Sequence, residues 1–259
     1  MRTIPPLALP AALAALFGQA AVGEPASLNN RTQEEAVIVT PPSSPKPRIN
    51  GPQIFGVRPD HPFLFTIPAT GALPIEFSIR HLPKGLKLDA RRGQITGSLA
   101  KPGEYVVQFQ ASNKLGRAER KFRIVCGDTL ALTPHMGWNS WYVWENHVTD
   151  QIIRQAADAM VSSGMINHGY QYVNIDDCWA VKPGATDPSL GGQPRDSHGR
   201  VNPNSRFPDM KALTDYIHAN GLKAGIYTSP GKLTCAGHVG AFARSFGRGT
   251  IRRMGIRFP

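Results

Sequence analysis

Cysteine is scarce in this chain of 259 residues, which has only Cys126, Cys178 and Cys235. An odd number leaves at least one thiol without an intrachain partner, and the spacing suits no metal site. Acidic residues are also few, 18 against 29 Lys and Arg. A basic excess suggests nucleic acid, but no basic segment carries the aromatic strand of an RRM or a zinc-ligand array, so nucleic acid is set aside as a partner. A membrane span is missing too: the one long apolar stretch, near the N-terminus, is too short and too broken by proline to cross a bilayer. Hydrophobic residues nevertheless make up 41% of the chain, enough for the core of one large domain or two modest ones.

What is present is unevenly spread. Residues 46–125 hold 14 basic against 5 acidic side chains, residues 126–242 hold 8 against 10, and residues 243–259 hold five arginines and no acid. The charge therefore belongs to a small module and a tail. Residues 1–23 open with Arg2, run through apolar Leu7 to Val22 and reach small residues Gly18, Ala20 and Ala21, which reads as a signal peptide and a secreted or periplasmic protein. Residues 24–47 read as a linker, because PPSSPKP at its end permits neither helix nor central strand.

Residues 48–125 carry short β-forming runs, FLFTI, IEFSI, YVVQFQA and KFRIV, separated by turn signals at 83–85, 92–93 and 102–103. Phe109 and Ala111 alternate with Gln108 and Gln110, as one buried strand face requires. The expectation is an all-β sandwich of immunoglobulin size. Its sequence resembles the Ig-like repeats found beside catalytic domains in secreted bacterial proteins. A passive spacer is the first reading of this domain, and a polysaccharide-binding surface the second.

After Cys126 the pattern changes to strand and helix, over residues 127–242. MGWNSW at 136–141 reads as a strand. A helix follows over about 150–163, with Thr149 as its N-cap and Gly164 as its stop. Ile152, Ile153, Ala156, Ala159, Met160 and Ser163 form its expected core face. GYQYVNIDDCW at 169–179 is a β-branched and aromatic strand ending in two acids and a tryptophan. A long polar loop leads to a helix over 210–220, and LKAGIYT at 222–228 delivers Tyr227 to the end of a third strand. Strands alternating with helices predict a parallel α/β sheet, in which substrates bind at the carboxyl ends of the strands. Adjacent acids point to opposite faces, so Asp176 and Asp177 make a poor acid and base pair. Sugar hydroxyls or a metal suit them better. The acids Asp196 and Asp209, in a polar loop and before a helix, read as solvated and capping groups.

MGWNSW, DAMVSSG, GYQYVNIDDCW, RDSHGRVNPNSRFPDMKALTDYIHANGLKAGIY and TCAG, in this order, resemble the N-terminal part of the alpha-galactosidase and alpha-N-acetylgalactosaminidase family of retaining glycoside hydrolases. The resemblance implies the first three βα units of a (β/α)8 TIM barrel, truncated here, with no cofactor and no metal. It also implies a galactose-containing oligo- or polysaccharide as partner. Position by position, it implies that Trp141 is an aromatic wall of the sugar site, that Asp176 and Asp177 bond galactose hydroxyls, that Tyr227 is a pocket tyrosine, and that Cys235 lies in the loop after the third strand. The family's two catalytic aspartates close its fourth and sixth strands. Neither position falls within these residues, so no catalytic residue is assigned and the chain by itself is expected to be inactive. The alternative is a non-catalytic galactoside or polysaccharide binding module. In the family Cys235 usually bridges to a cysteine beyond the nucleophile. Eukaryotic members pair Cys178 with a cysteine near the first helix, and residues 142–169 contain none.

The tail at 243–259 has no apolar period of helix or strand. Read one nucleotide forward, codons compatible with residues 252–258 allow AEWGFDF, the kind of sequence that leads into the fourth strand of the resembling family. A shifted reading frame is the expectation for this tail, and a basic segment binding an acidic partner is the alternative.

Overall fold

The computed structural model describes residues 43–241. The signal-peptide reading, the start of the linker and the shifted-frame reading of the tail lie outside the described residues, which belong to one compact unit.

The first half is a β-sandwich. Strands β1 (Arg48–Ile49) and β4 (Ala69–Thr70) form a short antiparallel pair. Strands β2 (Ile54–Val57), β5 (Glu76–Arg80), β8 (Gly103–Asn113) and β9 (Gly116–Cys126) make a sheet of order β2-β9-β8-β5. Strands β3 (Pro62–Thr66), β6 (Leu86–Asp89) and β7 (Gln94–Ser98) make the facing sheet. Alternation does the work: in β8, Val107, Phe109 and Ala111 are buried between half-buried Gln108 and Gln110. The core is aromatic, with Phe122 4.6 Å from Phe65 and 4.5 Å from Phe109, ring centroid to centroid. Pro47 is buried and Pro45 O accepts from Ala72 N, so the last residues before β1 pack on this module.

The second half is α/β. Strands β10 (Gly137–Asn139), β11 (Tyr172–Ile175) and β12 (Lys223–Ile226) are parallel, in the order β10-β11-β12. Helices α1 (Trp141–Trp144), α2 (Asp150–Ser162) and α3 (Met210–Ala219) connect them. Thr149 caps α2 by accepting from Ile152 N at 3.3 Å, and Asp209 caps α3 by accepting from Ala212 N at 2.9 Å. Val173 and Ile175 meet Ile153, Met160, Phe207, Leu213 and Ile217 in one core. Among the described residues the three strands do not close into a barrel.

Two local expectations need correction. The buried stripe of α2 is Ile153, Ala157 and Met160, while Ala159 and Ser163 are exposed. The stripe follows i, i+4 and i+7 spacing, and small alanines at 156, 157 and 159 do not reveal their side of the helix by hydropathy. MGWNSW is strand only at 137–139, after which the chain turns at Ser140 into α1.

The two halves share a polar seam. Thr66 Oγ1 donates to Gly221 O at 2.7 Å, Gln171 Nε2 donates to Thr66 O at 2.6 Å, and Asn50 Nδ2 donates to Asn167 O at 2.9 Å. Gly221 is held at φ +77°, and a Cβ there would stand 2.6 Å from Thr66 Oγ1. Glycine is thus required twice over, by the helix stop and by the approach of β3. Lys223 enters the same seam. The residue keeps some exposure, but its ammonium is enclosed. It donates to Gln171 Oε1 at 2.6 Å, with the Phe55, Phe65 and Tyr172 rings at 4.9, 5.3 and 5.3 Å. Burial pushes its pKa down to about 7.

Candidate functional site

The sequence-predicted residues all lie at the carboxyl ends of the three parallel strands or in the loops that leave them, where an α/β sheet binds its ligands. Asn139, the last residue of β10, joins two of them. Its Oδ1 accepts from Trp141 N at 2.8 Å, and its Nδ2 donates to Asp176 Oδ2 at 2.8 Å. Buried Ser140 adds a bond from Asp176 N to its hydroxyl at 3.0 Å. The α1 segment then turns outward, leaving Trp141 36% and Trp144 39% exposed. Aromatic rings on a rim suit the apolar face of a sugar ring.

Asp176 and Asp177 follow β11 directly, and their environments differ. Asp176 is half-buried. It is steadied by Asn139 and by the amide of Asp177, which donates to its Oδ1 at 2.8 Å. Asp177 is 3% exposed and holds three donors: Cys178 N and Thr234 Oγ1 on Oδ1, both at 2.7 Å, and Ala236 N on Oδ2 at 3.0 Å. Such an acceptor array stabilises a carboxylate and leaves lone pairs for further donors. The next residue, Cys178, adopts the left-handed conformation at φ +74°. Buried Asn204 secures this turn by donating to Cys178 O at 2.8 Å and Ala180 O at 2.9 Å. Burial, and then the Asp177 charge, push the Cys178 thiol up to about 11, so it stays protonated and inert.

Tyr227 closes the group from β12. Its backbone N donates to Ile175 O at 2.8 Å, its carbonyl accepts from Trp179 Nε1 at 2.7 Å, and its hydroxyl lies 3.4 Å from Cys235 Sγ. The hydrogen bond to Cys235, with some burial, pushes the phenol up to about 12, so Tyr227 is a neutral donor at any working pH. Cys235 is exposed, and Cys126, Cys178 and Cys235 are all free thiols. One hydrogen-bonded system therefore connects all five predicted residues. Reasoning from sequence missed the residues that hold them: Asn139, Asn204, Thr234 and His238. The only signal for Asn139, Asn204 and Thr234 was that they fall inside the quoted motifs, and His238 lies one residue past the last of them.

The arrangement is built to accept hydrogen bonds from hydroxyl groups. The other carboxylates of the loops are committed elsewhere. Asp209 caps α3, and Asp187 pairs with Arg206 at 2.7 Å. Partial burial of Asp196 is outweighed by hydrogen bonds from Arg200 and His198, which hold its carboxyl at about 2. Among the described residues no cluster of three or more His, Cys, Asp or Glu is placed to hold a metal ion.

Residues 133–247 match the family model described as Alpha galactosidase A, and residues 46–127 match the model described as "Putative Ig domain". Alpha-galactosidase 2 of Arabidopsis thaliana and Alpha-galactosidase A of Cellvibrio japonicus are each 47% identical over 116 residues, 44% of this chain and 26% of theirs. A crystal structure from Bacteroides fragilis, described as a "putative alpha-galactosidase", superposes with a TM-score of 0.75 at 37% identity. It covers 85% of this chain, hence both modules, and 45% of its own. The chain spans about a quarter of the length of these curated relatives.

Proposed function

From the premise that this chain carries the N-terminal part of an alpha-galactosidase family domain behind an Ig-like domain, we propose that it binds a terminal α-galactosyl residue of an oligo- or polysaccharide at Asp176, Asp177, Trp141, Tyr227 and Cys235. The observation that carries this reading is the pair of oriented carboxylates at the end of β11, each fixed by protein donors before any sugar arrives. A sugar hydroxyl bonded to a fixed carboxylate is worth about 1.5–3 kcal/mol. The Trp141 ring is placed to cover an apolar face of the pyranose, and Tyr227 donates from the third strand.

In the assembled family enzyme these groups serve hydrolysis with retention, which requires a nucleophile and an acid/base carboxylate about 5–5.5 Å apart. Asp176 and Asp177 are engaged in binding geometry, and Asp196 and Asp209 in turn and cap. The described residues therefore supply a galactoside-binding site, and the carboxylate pair of a retaining hydrolase is not among them. The apolar, arginine-led residues 1–23 support a reading of the protein as exported to the periplasm or the exterior. The test is an aryl α-galactoside assay on purified protein. The expected result is release of the phenol at the buffer rate. Turnover that copurifies with the chain and disappears in Asp176→Asn would show that the catalytic pair is present after all.

A further inference from the structure

We propose that Thr234 is a positioning residue that sets the Asp177 carboxylate and seats the Cys235 loop against Tyr227, an inference that rests on the galactose-binding reading of this site. Thr234 is 9% exposed and contributes three bonds at once. Its hydroxyl donates to Asp177 Oδ1 at 2.7 Å and accepts from His238 N at 3.0 Å, while its own amide donates to His238 O at 2.8 Å. A hydroxyl has one proton, and here it is given to the carboxylate, so its direction is fixed by the amide of His238 behind it.

The far end of this chain is equally fixed. His238 is 1% exposed, and its Nδ1 lies 2.6 Å from Ala180 O. A carbonyl only accepts, so Nδ1 carries the proton and the ring is locked in that tautomer. Ala180 O is also held by Asn204, which secures the left-handed turn at Cys178. The loop after β12 is therefore clamped at Thr234 and His238 to the turn after β11. Two residues past the Thr234 hydroxyl, Ala236 N reaches the other carboxylate oxygen, and Cys235 between them meets the Tyr227 hydroxyl.

Losing the hydroxyl leaves Asp177 Oδ1 with a single donor and frees the carboxylate to rotate. Valine fills nearly the same volume as threonine, so the loop keeps its packing while Asp177 Oδ1 loses a donor and the His238 amide its acceptor. Thr234→Val should weaken binding of methyl α-galactoside at least tenfold, and Thr234→Ser, which keeps the hydroxyl, should restore it to within about threefold. A second readout needs no sugar. In Thr234→Val the amide hydrogen of Ala236 should exchange at least tenfold faster than in the parent, and in Thr234→Ser at the parent rate. Unchanged Ala236 exchange in Thr234→Val overturns the positioning role. So does equal loss of affinity in the valine and serine variants, since that points to packing rather than the hydroxyl. If the parent fails to bind the galactoside, the binding reading falls, and the exchange result alone decides the role of Thr234.

Discussion

Replacing Lys223 by methionine isolates the energetic consequence of a charge enclosed between the two modules. In the folded protein burial brings the ammonium from its ordinary 10.5 to about 7. At about 1.36 kcal/mol per pKa unit, a displacement of roughly 3.5 units corresponds to about 5 kcal/mol of penalty on the charged form. The three aromatic faces return about 1–2 kcal/mol of this through cation–π attraction. The sign follows from proton binding. Below pH 7 both folded and unfolded chains hold the proton and the full penalty stands. Between pH 7 and 10.5 the unfolded chain holds a proton that the folded chain has released, so stability rises with pH. Other titratable groups face the same spot. His135 stacks on Tyr172 at 4.3 Å, and its pKa is lowered by burial and then by Lys223, while burial pushes Tyr172 up to about 12. Of these, His135 is held below its ordinary 6.5 and so titrates below the window used. Urea unfolding of the whole chain at pH 7, 8, 9 and 10 should show the parent gaining about 3–4 kcal/mol relative to Lys223→Met, because the raised Cys178 and Tyr172 pKa values lower stability towards pH 10 in both proteins alike. Lys223→Met is apolar and of similar length, so it removes the titrating ammonium without emptying the seam. At pH 10 the variant should be the less stable of the two, because Gln171 Oε1 has lost its donor. An equal slope in parent and variant would refute the reasoning.

Gly221→Ala should cost at least 2 kcal/mol in urea unfolding, because a left-handed φ and a 2.6 Å approach to Thr66 Oγ1 are both violated; a loss below 0.5 kcal/mol would show that the seam relaxes freely. Phe122→Ala, at the centre of the aromatic core of the sandwich, should cost about 3–5 kcal/mol and lower the thermal midpoint accordingly. A maleimide probe should label Cys235 alone in the native protein and all three cysteines in urea. Rapid native labelling of Cys178 would contradict its burial.

Periodicity carried the helices and the sandwich strands. Thr149, Gly164, Asp209 and Gly221 mark boundaries through chemistry local to the chain, and the alternation of 107–111 needs only neighbours two residues away. The strand–helix rhythm also puts Asp176, Asp177 and Tyr227 at strand ends, whereas Trp141 and Cys235 were singled out by the family resemblance alone. What stayed hidden depends on contacts between distant segments. Lys223 looks like an ordinary polar start to a strand until Phe55 and Phe65, more than 150 positions earlier, are folded over it. Thr234 and Asn204 are common loop residues in isolation, and their significance arises only when the turn after β11 needs donors for Asp177 and for two carbonyl groups. The error in α2 has the same origin. Ala157 and Ala159 are alike in hydropathy, and only the packing of α2 on the sheet distinguishes them.

The central claim is that the ends of β10, β11 and β12 form a galactose subsite, and saturation-transfer NMR with methyl α-galactoside and methyl α-glucoside tests it most directly. A few charge-assisted bonds and one exposed aromatic wall support a dissociation constant of order 1 mM, about −4 kcal/mol. The account predicts saturable transfer to the galactoside, at least tenfold weaker transfer to the glucoside, and loss of the galactoside signal in Asp176→Asn and Asp177→Asn variants whose thermal midpoints confirm that they are folded. Equal transfer to both sugars, unaffected by either substitution, would contradict it.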